Sequence, residues 1–164
     1  MTAVYGIYGK DGQVLSRPLL AAAAKDLWGW EEVPPLERSQ RGKPEFSGKT
    51  GYWLSISHSG GYALCALSDD GPVGVDIEVV RPHRAGLPRY AMTDTEFSAF
   101  DGTWENFCRV WVLKESFCKM TDSPLFPPRK VSTPPNCPHK IWGGENWQAA
   151  VCCTALPPAE IIWL

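Results

Sequence analysis

No apolar run in the 164-residue chain exceeds six residues, the length of Leu19–Ala24. A membrane-spanning helix needs about 18 or more, so no membrane segment is expected. Excess positive charge is missing too: 16 Lys and Arg stand against 18 Asp and Glu, a net charge of −2. That balance argues against a partner held by bulk charge, and no nucleic acid is expected. The opening Met1-Thr-Ala-Val-Tyr-Gly lacks a basic stretch and a long apolar core, so no secretory leader is expected. Finally, the six cysteines (Cys65, Cys108, Cys118, Cys137, Cys152, Cys153) contain no CxxC pair. Most lie in apolar runs, where Cys acts as a small core residue. Reduced thiols in a cytoplasmic protein are the expectation, rather than a zinc site or a disulfide framework.

What is present is core material. Hydrophobic residues make up 44% of the chain and charged ones 21%, with eight Trp, five Tyr and six Phe. This suits one domain, or two small halves sharing a core. Residues 3–8 read as a strand ended by a turn at Gly9–Gly12, and Ser16 as the N-cap of a helix to about Trp28. Regular structure is expected to break from Pro34-Pro35 through Gly51. Tyr52–Ser57 and Tyr62–Ser68 read as strands around a Ser57–Gly61 loop, and Val73–Val79 as a third after the turn Asp69–Pro72. A basic connection carrying Arg81, His83, Arg84 and Arg89 leads to a capping box, Thr93 to Glu96. The apolar pattern predicts a helix from about Trp104 to Met120. Six prolines in residues 124–138 predict a loop, and Trp147–Leu156 with Ile161–Leu164 a closing pair of strands. Tyr62–Leu67 and Ala149–Leu156 resemble each other, an internal echo that suits two matching halves.

Three segments carry candidate chemistry. In Val73-Gly-Val-Asp-Ile-Glu-Val79, alternation turns Asp76 and Glu78 to one face, about 6–7 Å apart by backbone rise. Two acids alone suit a wet strand face, but the apolar flanks place this strand in a sheet interior. There adjacent like charges need a cation, and hard oxygen ligands suit Mg²⁺. In Trp111-Val-Leu-Lys-Glu-Ser-Phe-Cys-Lys119, Glu115 and Lys119 share a helix face with Trp111. An exposed Glu–Lys pair is the ordinary reading of that spacing; the neighbouring Trp111 argues for a covered face. In Ser55-Ile-Ser-His-Ser-Gly-Gly61, a histidine and hydroxyls beside glycines suit an anion-binding turn, or equally a structural histidine. Lys43, in Arg41-Gly-Lys-Pro44, adds a cation on a stiff turn. Metal, anion site and base together are the equipment for handling a pyrophosphate.

With Gly42-Lys-Pro44, Ile56-Ser-His-Ser-Gly60, Val73-Gly-Val-Asp-Ile-Glu78 and Trp111-Val-Leu-Lys-Glu-Ser-Phe-Cys-Lys119 in order, the chain resembles the 4′-phosphopantetheinyl transferases. The likeness is to the larger, surfactin-synthetase-activating type in a shortened form. It implies an α/β (α+β) pseudo-dimeric fold of two similar halves, residues 1–72 and 73–164, each with a small, mainly antiparallel sheet and packed helices. Coenzyme A would bind between the halves, nearer the first for its nucleotide, and the second would serve the carrier protein. By the same likeness Asp76, Glu78 and Glu115 match Mg²⁺ ligands, and Ser57, His58 and Lys43 match coenzyme A phosphate contacts. Lys119 matches the lysine near the pyrophosphate, with Glu115 as, or positioning, the catalytic base. Phosphopantetheine would pass from coenzyme A to a serine of an apo acyl or peptidyl carrier protein, and one monomer would suffice.

The chain departs from that pattern in the stretch before Arg17, which usually supplies cations to the nucleotide and leaves Lys10 and Arg17 as substitutes. Ser55 stands where Asn is common, and Glu45 follows Lys43-Pro44. The alternatives are a coenzyme A-binding protein with weak or lost transfer, and a Mg²⁺-dependent phosphohydrolase. The carrier is expected to dock beside Thr121–Pro138, with Leu125 and Phe126 as apolar anchors and Arg129-Lys130 meeting its acidic surface.

Overall fold

The computed structural model describes residues 1–164. Strand β1 (Thr2–Tyr8) leads into helix α1 (Gly12–Trp28), followed by the short pair β2 (Leu36–Arg38) and β3 (Pro44–Phe46). The hairpin β4 (Trp53–Ser59) and β5 (Tyr62–Ser68) precedes β6 (Val73–Val79). Short helices α2 (Leu87–Ala91) and α3 (Asp94–Ser98) lead to the long α4 (Trp104–Thr121). A 3₁₀ turn at Pro128–Lys130, the hairpin β7 (His139–Gly143) and β8 (Trp147–Cys153), and β9 (Ile162–Trp163) complete the chain. No helix is long and apolar enough to cross a membrane, and all six cysteines are unpaired.

The main sheets run β4-β5-β1-β9 and β6-β8-β7, antiparallel except where β9 joins β1 in parallel. In each, the second strand of a hairpin lies between its hairpin partner and a strand from earlier in the chain, β5 between β4 and β1 and β8 between β7 and β6. The central strands β5 and β8 are the two segments that echo each other in sequence. Alternation sorts their side chains. Ala63, Cys65 and Leu67 of β5 pack with Leu19, Leu20 and Ala23 of α1, whereas Leu64 and Ala66 join Val75, Ile77, Ala149 and Val151 in a core shared by both sheets. Ala150 and Cys152 of β8 face Val112, Leu113 and Met120 of α4. The result is an α+β arrangement in which each long helix covers one sheet and the sheets bury their other faces together.

Several local expectations need correction. Helix α1 begins at Gly12, because the Asp11 carboxylate accepts the Gln13 N–H at 2.8 Å; Ser16 lies inside the helix and donates to the Gly12 carbonyl at 2.9 Å. The stretch through Gly51 is not wholly irregular, since β2 and β3 pair within it. Ser57–Gly61 is not a loop: β4 continues to Ser59 and turns at Gly60-Gly61. Strand β7 was not expected, and β8 pairs with β6 and β7 rather than with β9. Strand β9 returns to β1, so the four-stranded sheet takes strands from both ends of the chain. The capping box is present, with reciprocal bonds between Thr93 and Glu96.

Candidate active site

The edges of the two sheets meet where β4 lies beside β6, and no backbone ladder joins them. The outward amides of β6 would be orphaned there without side-chain acceptors. Serines at alternate positions of β4 supply them: Ser55 Oγ accepts the Val75 N–H at 3.0 Å, Ser57 Oγ that of Ile77 at 3.3 Å, and Ser59 Oγ that of Val79 at 3.1 Å. Two of these hydroxyls donate onward to the carboxylates, Ser57 to Asp76 Oδ1 at 2.7 Å and Ser59 to Glu78 Oε2 at 2.9 Å. Ser57, expected at a phosphate, is therefore buried and committed to the seam. His58 points the other way by strand alternation and is exposed.

Helix α4 brings the remaining groups. Its backbone crosses β6 at Gly74, where any Cβ would overlap the Ser116 carbonyl oxygen and the Met120 nitrogen. Only glycine permits that approach. It sets Lys119 Nζ 2.7 Å from Asp76 Oδ1, with Glu115 one turn earlier beside the same carboxylates. Burial, reinforced by the charge of Asp76, pushes the Glu115 carboxyl up to about 7. The same two causes raise Glu78, against a hydrogen bond from Ser59 that opposes them.

Glu115 and Lys119 line a cleft of about 550 Å³ together with Lys43, Arg41 and Asp122. Lys43 Nζ donates to the Val73 carbonyl at 3.2 Å, and burial holds its ammonium below the ordinary lysine value. Arg41 donates to the Asp122 carbonyl at 2.7 Å. Arg17 is elsewhere, exposed on α1 beside a groove formed with Leu20 and Val33. The cleft's additional cation is Arg41, placed by the β2–β3 turn. Glu78 opens onto a second, smaller groove with Arg81, Tyr90, Trp111 and Phe126. The anticipated apolar pair divides: Leu125 is buried at the cleft, whereas Phe126 is 67% exposed.

Sequence reasoning did not single out Lys114. Its side chain is fully buried, paired with Glu96 at 2.7 Å and donating to the carbonyls of Ala91 and Pro128 at 3.0 Å each. It thereby fastens α2, α3 and the proline-rich segment to α4. The signal was its position on the stripe Val110, Phe117 and Cys118, one helical turn either side.

The expected metal ligands are close, but they do not form a closed set. No group of three or more His, Cys, Asp or Glu side chains is arranged to hold a metal ion. At Asp76, the Lys119 ammonium and the Ser57 hydroxyl both take Oδ1. Asp76 Oδ2, in contrast, is buried without a hydrogen-bond partner. A buried, unpartnered carboxylate oxygen flanked by two further carboxylates is a donor set that fits a hard divalent cation.

Residues 72–152, from β6 to β8, match the family model of the 4′-phosphopantetheinyl transferase superfamily. Several curated relatives carry the same name. The 4′-phosphopantetheinyl transferase AcpT of Escherichia coli O157:H7 is 35% identical over 96 residues, 53% of this chain and 48% of the relative. Its counterpart from Salmonella typhi is 29% identical over 134 residues, 77% of this chain and 59% of the relative. The 4′-phosphopantetheinyl transferase of Bacillus subtilis is 33% identical over 89 residues, 51% of this chain and 39% of the relative. The chain thus spans about half the length of the curated relatives it matches.

Proposed function

We propose, from the superfamily match over residues 72–152, that the chain transfers 4′-phosphopantetheine from coenzyme A to a serine of an apo acyl or peptidyl carrier protein. The supporting observation is one junction: a carboxylate cluster with the orphaned Asp76 Oδ2 borders a cleft carrying Arg41, Lys43 and Lys119. Asp76, Glu78 and Glu115 would hold Mg²⁺, which when bound neutralises charge on the pyrophosphate. Arg41 and Lys43 draw the coenzyme's phosphates into the cleft, and His58 meets one from the exposed face of β4. Glu115 acts as, or positions, the base that removes the serine proton. The serine oxygen bonds to the phosphorus of the phosphopantetheine, and the bond to adenosine 3′,5′-bisphosphate breaks. Lys119 stabilises the charge gathering on that leaving group.

The matching strand plans of the two sheets support the pseudo-dimeric fold of the larger, surfactin-synthetase-activating type. Two halves in one chain make a monomer sufficient, and six unpaired cysteines suit the cytoplasm. The exposed Phe126, beside Arg129 and Lys130, is a candidate anchor for an acidic carrier. A second reading is coenzyme A binding without efficient transfer. A fluorescent coenzyme A incubated with an apo carrier separates the two. Label on the carrier supports transfer, saturable binding without label supports the second reading, and cleaved nucleotide without label points to a phosphohydrolase.

A further inference from the structure

Asp76 is satisfied unevenly. Its Oδ1 receives both Lys119 and Ser57, and its Oδ2 receives nothing although it is buried. Three carboxylates, Asp76, Glu78 and Glu115, share this corner with one ammonium. The Asp76 side chain is 5% exposed, whereas that of Lys119 is 30% exposed. Lys119 stands on the last turn of α4, on a flexible four-carbon stem that also lines the cleft with Arg41 and Lys43. The ammonium therefore has a second place to go, toward any anion in the cleft, while Asp76 cannot follow.

We infer that Lys119 and a divalent cation compete for Asp76, so that the lysine holds down the metal affinity of the free protein until an anion in the cleft draws it away. This rests on the metal reading of the carboxylates given above. Two cations on one carboxylate repel each other, so the cation binds more tightly when the ammonium leaves. By linkage, an anion that attracts Lys119 strengthens metal binding by the same factor by which the metal strengthens anion binding. Lys119 is thus a positioning residue for the metal as well as a contact for the pyrophosphate, and removal of a positive residue should improve cation binding.

The test is Mn²⁺ binding to the full chain without nucleotide, read from the electron paramagnetic resonance signal of the free ion. Lys119→Met should bind Mn²⁺ about tenfold more tightly than wild type, the size of one like-charge contact at a partly buried site. Lys119→Arg should resemble wild type, and Asp76→Asn should remove the gain from the Lys119→Met background. Equal or weaker binding by Lys119→Met, alongside measurable binding by wild type, overturns the competition and leaves the metal reading intact. No Mn²⁺ binding by either protein overturns both. Far-UV circular dichroism checks the fold, and Lys119→Gln replaces the methionine variant if that variant is unfolded.

Discussion

Ser57 and Asp76 face each other across the junction of the two main sheets, Oγ to Oδ1 at 2.7 Å, while the same hydroxyl accepts the Ile77 N–H. One buried side chain therefore joins the sheets and orients the carboxylate nearest Lys119. Ser57→Ala leaves the buried Ile77 amide without its acceptor and Asp76 Oδ1 with Lys119 as its one donor, so stability should fall by about 1–2 kcal/mol. Denaturant unfolding measures this. Were the hydroxyl a phosphate contact instead, KM for coenzyme A would rise with stability unchanged.

Gly74 governs how closely α4 approaches β6. Gly74→Ala forces a methyl group into the backbone of α4, which must move away. The expected cost is about 2 kcal/mol or more. Because Lys119 and Glu115 ride on that helix, kcat should fall further than KM rises. A variant with wild-type stability and kcat would mean that the helix has slack to give.

The buried Lys114–Glu96 pair gives a pH-dependent contribution. Burial opposes ionisation of Glu96, but hydrogen bonds from Lys114, Thr93 and Thr133 outweigh it and hold the carboxyl below its ordinary 4.5. A depressed carboxylate contributes stability that is present above 4.5 and lost as pH falls through the lower folded value. Unfolding free energy should therefore decline from about pH 4.5 downward, and Glu96→Gln should flatten that slope. Lys114→Met should cost about 3 kcal/mol by leaving the carboxylate without its counter-charge, and the double variant should recover part of it.

Alternation made the carboxylate face of β6 legible in the sequence, because Val75 and Ile77 could only bury if Asp76 and Glu78 turned the other way. The α4 span was legible for the same reason: its apolar positions keep one period from Phe107 to Cys118. Long-range pairing was not. Nothing local tells Ile162 that it will lie beside Tyr5, or the serines of β4 that they will accept amides from β6. Ser57 and His58 read as neighbours in a loop, yet one extra turn of strand sends them to opposite faces. Arg17 lies outside the cleft, on a helix that begins at Gly12 and is capped by the Asp11 side chain rather than by Ser16, so its neighbours are Leu20 and Val33.

His58 provides a clean separation of binding from folding. It is exposed on β4, so His58→Ala should leave the unfolding transition within about 0.5 kcal/mol of wild type. If it meets a phosphate charged in both ground and transition states, KM for coenzyme A rises while kcat changes little. A collapsed kcat at constant KM would assign it to proton transfer.

The most direct test of the account is the intact mass of an apo carrier protein after incubation with coenzyme A, Mg²⁺ and the full chain. The carrier should gain one phosphopantetheinyl group on its serine, with an equal amount of adenosine 3′,5′-bisphosphate released. Asp76→Asn, folded as wild type, should leave the mass unchanged. An unmodified acyl and peptidyl carrier with the wild-type protein, or full modification by Asp76→Asn, would contradict it.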